Sequence, residues 1–117
     1  MLDIQQELEK YKILDFSGNP VYDWHQLEEI QDGLEAGVDV SKYTILNSNG
    51  YPVFNHLQMR EIRKGLQKGI NVEQYTSLNS KGEPIYGVFE MFKIRTKLKE
   101  LNSQNISHNE KSEEISI

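Results

Sequence analysis

The chain has 117 residues, 37% of them hydrophobic and 26% charged, with no cysteine and a formal charge of −5. That is material for one small domain held by apolar packing, because neither a disulfide framework nor a thiolate zinc site can form. No apolar run approaches the roughly 20 residues that cross a bilayer. The stretch Met1–Glu7 has neither the basic nor the apolar region of a signal peptide, so a cytoplasmic location is expected rather than a membrane or secreted one.

Residues 1–10 read as an N-terminal helical cap, since Leu8-Glu9-Lys10-Tyr11 has the form of Val40-Ser41-Lys42-Tyr43 and Val72-Glu73-Gln74-Tyr75. From Tyr11 the chain repeats. Tyr11, Tyr43 and Tyr75 are each 32 residues apart, and in the same register Gly18, Gly50 and Gly82 align, as do Pro20, Pro52 and Pro84. Repeat 1 spans residues 11–42, repeat 2 residues 43–74 and repeat 3 residues 75–101, followed by a polar tail over 102–117 that is expected to be disordered; all belong to one domain.

Each unit opens on a short arm and a glycine turn, as in Ile45-Leu46, Asn47-Ser48-Asn49-Gly50 and Tyr51-Pro52-Val53-Phe54, which predicts a small β-hairpin or an ordered loop. Proline in the second arm removes a donor and confines it to an edge. A helix follows. Asp23 with Gln26, and Asn55 with Gln58, have capping-box spacing, while the third unit has Gly87 with Glu90. Apolar positions at i, i+3 and i+7 (Leu27, Ile30, Leu34; Met59, Ile62, Leu66; Met91, Ile94, Leu98) predict one inward stripe per helix. Gly33 and Gly65 interrupt that buried side, where glycine costs about 1 kcal/mol against alanine, so a neighbouring element is expected to approach the backbone there. Gly37 and Gly69 stop the first two helices; the third, with Leu101 in that place, should run on to about Asn102. Val38–Tyr43 and Ile70–Tyr75 then predict short helical turns capped by Asp39 and Asn71.

The fold class that follows is mainly α: three stacked 32-residue units, short and solenoid-like, becoming α+β if the hairpins form. In that stack Leu14, Leu46 and Leu78, and the three period tyrosines with solvated hydroxyls, are expected to form core ladders.

The segment Leu57–Tyr75 resembles short helical repeats of the form Q-M-x-x-I-R-x-G-L-x-x-G-hydrophobic-D/N-V-x-x-Y, which occur in tandem in proteins of phages and conjugative elements of Gram-positive gut and related bacteria. The first unit matches at Gln26-Leu27, Ile30, Gly33-Leu34, Gly37-Val38-Asp39-Val40 and Tyr43, with Gln31 in place of the arginine; the third matches in part. The units here carry an extra segment around Asn47 to Val53. The resemblance implies a mobile-element origin and a non-enzymatic repeat module, and it implies no catalytic residues.

Chemistry-bearing motifs are absent. There is no phosphate-binding glycine loop, no H-E-x-x-H and no G-x-S-x-G, and His25, His56 and His108 fall at unrelated positions in their units. No enzyme activity, cofactor or metal is therefore expected. Charge is the remaining signal. Residues 1–58 carry −7, residues 59–101 carry +4 and the tail −2. Glu28, Glu29, Asp32 and Glu35 are expected to form an acidic outer face on the first helix that engages a basic groove on a protein partner. For a mobile-element protein this points to an inhibitor that binds and blocks a bacterial defence nuclease, an anti-CRISPR-like role resting on analogy and size. The alternative uses Arg60, Arg63, Lys64, Lys68, Lys93, Arg95, Lys97 and Lys99 as a basic face for nucleic-acid phosphates.

Overall fold

Side-chain oxygens set where the helices begin. Asp3, Asp23 and Asn55 each sit in extended backbone and accept from N–H groups of the first turn that follows. The computed structural model describes the backbone of residues 3–116 and the side chains of residues 3–103. Its helices are α1 (Ile4–Glu9), α2 (Trp24–Ala36), α3 (His56–Gln67) and α4 (Val88–Ser116), with 3₁₀ turns at Val40–Lys42 and Val72–Gln74. The chain is mainly α, and among the described residues there is no β-strand and no helix long and apolar enough to cross a membrane.

The caps follow the repeat. On α2 and α3 both halves of the capping box form, with Gln26 and Gln58 accepting from the backbone N–H of Asp23 and Asn55 at 2.8 and 2.9 Å. On α4 only one half exists: Gly87 N–H donates to Glu90 Oε1 at 3.4 Å, and glycine has no side chain to answer. Gly37 and Gly69 follow the ends of α2 and α3 at φ of 74° and 70°, a left-handed conformation in which a Cβ would be strained.

Each expected hairpin is an ordered loop with one antiparallel bridge, between Leu14 and Pro20, Leu46 and Pro52, and Leu78 and Pro84. Proline removes the donor a longer ladder would need. The loop is held by Asp15, Asn47 and Asn79, whose Oδ1 atoms each accept from two backbone N–H groups at 2.8 to 3.1 Å.

Successive helices pack on one another, α1 on α2, α2 on α3 and α3 on α4. Ile30, Met59, Ile62 and Met91 are fully buried between them, joined by Tyr22, Tyr43, Phe54 and Tyr75. Gly33 and Gly65 are points of close approach. A Cβ at either would lie 1.9 or 2.0 Å from the hydroxyl oxygen of Tyr43 or Tyr75. The expectation of solvated hydroxyls is corrected here, because each is buried and donates to a helix carbonyl, Tyr43 to Glu29 O at 2.7 Å and Tyr75 to Glu61 O at 2.8 Å. Burial pushes both phenols above their ordinary pKa of 10.

Two further expectations are corrected. Leu14, Leu46 and Leu78 are not core: they are 65%, 37% and 36% exposed, because the loops turn Val21, Tyr22 and Phe54 toward the helices and leave the residues bridged to proline on the far side. The stop near Asn102 is also replaced, since the α4 backbone stays helical through Ser116, over a stretch with no glycine or proline to end it. Ile117 and the side chains of residues 104–116, His108 among them, lie outside the described residues.

Candidate interaction surfaces

Of the four acidic residues assigned to an outer face, three are there. Glu28, Asp32 and Glu35 are exposed, with Glu28 Oε1 3.8 Å from His25 Nδ1 and Glu35 accepting from Gln31 Nε2 at 3.0 Å. Glu29 is a correction. It is only 3% exposed and accepts from Arg60 Nε at 3.0 Å and Arg63 Nε at 2.9 Å, both from the next helix. A carboxylate loses several kcal/mol of solvation in such a place, and two charge-assisted bonds offset the loss.

The same contact recurs one unit later. Arg95 Nε donates to Glu61 Oε1 at 2.8 Å, with both side chains about nine-tenths buried. The expected basic face therefore loses Arg63 and Arg95 as free cations and keeps Arg60 only in part, whereas Lys64, Lys68, Lys93, Lys97 and Lys99 are exposed. A second contact between units is built from the capping-box glutamines. Gln26 Nε2 donates to Phe54 O at 2.9 Å and Gln58 Nε2 to Tyr86 O at 3.0 Å.

These couplings were readable from the aligned units. A glutamate stands at positions 29 and 61 and an arginine at 63 and 95, so each glutamate finds its partner 34 residues on. At the equivalent places the first unit has Gln31 for the arginine and the third has Lys93 for the glutamate.

The loops make a different surface. Ile13, Leu14, Phe16, Ile45, Leu46 and Tyr51 are all exposed, Phe16 completely. Ile13, Leu14, Asp15, Phe16, Val21, Leu46, Asn49, Gly50 and Tyr51 enclose an open notch of about 410 Å³ between the first two loops. Tyr51 Oη donates to Asp15 Oδ2 at 3.2 Å across it. Backbone N–H groups, that of Asn19 first, hold the Asp15 carboxyl below its usual range, and the bond to Asp15 raises the Tyr51 phenol. The signal for this notch lay where the repeat breaks. Phe16 stands where the other units have Ser48 and Ser80, and Tyr51 where they have Asn19 and Glu83.

At the start of α2 and α3, Trp24 lies on His25 (ring centroids 3.7 Å apart) and His25 stacks on His56 (4.6 Å). The two histidines, read from the sequence as unrelated, are neighbours because they occupy adjacent positions on adjacent helices. Stacked faces do not converge on an ion, and among the described residues no group of three or more His, Asp or Glu could hold a metal.

Comparison with protein-family models, with curated proteins and with solved structures yields no match.

Proposed function

We propose that this chain is a non-enzymatic repeat module that binds another protein, with its 32-residue units stacked as a short solenoid and its partner docked on the loop edge of the first two units. The single observation that carries the reading is the notch bordered by Leu14, Phe16, Leu46 and Tyr51, with the Asp15 carboxylate on its wall. Apolar surface grouped in this way on a small protein marks a place that a partner covers. The recurrence of the glutamine and glutamate couplings 32 residues apart supports the stacking.

The partner is a protein with a basic surface that presents an apolar side chain next to Lys or Arg. The −7 charge of residues 1–58 attracts it, and Asp15 with Glu28, Asp32 and Glu35 supplies local anions. In its most specific form the proposal is a phage or mobile-element inhibitor that occupies the basic groove of a host defence nuclease. The resemblance of the units to mobile-element repeats and the acidic first helix support it.

The test uses variants that borrow the repeat's own alternatives, Phe16→Ser and Tyr51→Asn, which keep the loop's Asx turns. Binding to purified bacterial defence nucleases is measured by interferometry, with inhibition of cleavage as second readout. A nuclease that binds the wild type and loses about tenfold or more in affinity for the double variant, at unchanged thermal midpoint, is the expected result. Equal affinity of the variant would remove the notch from the reading; failure of every nuclease tested to bind would remove the inhibitor role.

A further inference from the structure

The outer faces of α3 and α4 differ from that of α2 in charge and in chemistry. Lys64 and Lys68 stand one turn apart on α3, where α2 has Asp32 and Ala36. Together with Gln67 and Arg95 they line a recess of about 240 Å³ between α3 and α4, in which Lys64 and Lys68 are the free cations and Arg95 is the one paired with Glu61. Glu61 sits behind it and takes only Nε of Arg95, which fixes the guanidinium at the recess. Arg63, its equivalent one unit earlier, spends Nε on Glu29 and Nη1 on Gln67.

An aromatic ring accompanies the cations. Phe92 is 45% exposed and lies 5.5 Å from the Arg95 guanidinium carbon, in the position that Glu28 and Arg60 hold on the other helices. Lys99 follows on the same face of α4. A fixed cation cluster beside an exposed ring is the pairing that holds single-stranded nucleic acid, a phosphate on the charges and a base on the ring. A phosphopeptide would use the recess but not the ring.

We propose that the α3–α4 face binds single-stranded nucleic acid, with a backbone phosphate between Lys64, Lys68 and Arg95 and a base stacked on Phe92. This site is independent of the loop-edge notch. The full chain is titrated with a fluorescent oligothymidylate of about 12 nucleotides and followed by anisotropy at several salt concentrations. Saturable binding is expected, with a log–log salt slope of about −0.7 per phosphate held. Lys64→Asp with Lys68→Ala, residues the fold already accepts on α2, should weaken it by about tenfold or more, and Phe92→Ala by about tenfold with rescue by Phe92→Tyr. Phe16→Ser should leave it unchanged, which separates this site from the protein-docking reading. Absence of saturable binding at low salt overturns the proposal, as does unchanged affinity in the lysine variant. A phosphoserine peptide that binds more tightly than the oligonucleotide, or a duplex that binds equally with no effect of Phe92→Ala, also overturns it.

Discussion

Helix α3 has a neighbour on each side, α2 and α4, whereas the main packing of α4 is on α3. Their sequences differ where that matters. Position by position, α3 carries Gln58, Glu61 and Gly65 where α4 carries Glu90, Lys93 and Lys97. The first three look forward: Gln58 donates to Tyr86 O, Glu61 holds Arg95, and Gly65 makes room for Tyr75. On α4 the same positions are charged and exposed. A small residue or a buried acid in this chain is thus a property of a junction between successive helices, not of a single helix.

Five substitutions break or sharpen the contrast, from the largest effect downward. Arg95→Met should be the most damaging, about 3–5 kcal/mol in chemical denaturation, because Glu61 is left buried with no other cation. Arg63→Met should cost clearly less, since Arg60 still reaches Glu29, and Glu61→Leu combined with Arg95→Met should restore much of the loss. If Arg63 and Arg95 cost the same, the junctions are not organised as described. Gly65→Ala should destabilise by about 1–3 kcal/mol despite its better helix propensity, because the new methyl meets the Tyr75 hydroxyl; Lys97→Ala at the equivalent place should stay within about 0.5 kcal/mol.

Alkaline pH probes the same tyrosines. Tyr43 and Tyr75 have pKa values raised in the folded chain above the ordinary 10, so their contribution is complete below about pH 10 and is lost as pH climbs beyond it, when the unfolded phenols ionise first. The denaturation midpoint should fall across that range, and Tyr43→Phe should reduce the slope. A midpoint flat to pH 12 would mean that the phenols are not buried in solution. The smallest effect is expected at the start of α4, where Gly87→Asp completes the missing half of the capping box and should gain a few tenths of a kcal/mol.

Much of this architecture was legible because it is local. The caps at Asp23 and Asn55, the left-handed stops at Gly37 and Gly69, and the 3₁₀ turns opened by Asp39 and Asn71 depend on neighbours within four residues. Gly33 and Gly65 were legible as sites of close approach, since a costly residue in a buried stripe needs a steric reason. What escaped depends on the next unit. Glu29 reads as solvated on a helical wheel of α2 alone, and only the arginine at position 63 explains its burial. Leu14 reads as core by its type, whereas the bridge to Pro20 decides which way it stands. The notch and Phe92 were missed for the opposite reason. Both are departures from the repeat, and aligning units draws attention to what they share.

The glutamines at positions 26 and 58 give the chain a direction of assembly. Each uses its oxygen to finish the start of its own helix and its nitrogen to grip a carbonyl 28 residues later, so one amide reports locally and forward at once. A chain made from its N-terminus would complete each helix start before its successor arrives, then lock it when the next loop closes over the side chain. Fraying would run the other way, beginning at α4, whose Glu90 has no amide hydrogen to offer forward, and reaching α2 last. The order in which backbone amides exchange with solvent should trace that polarity.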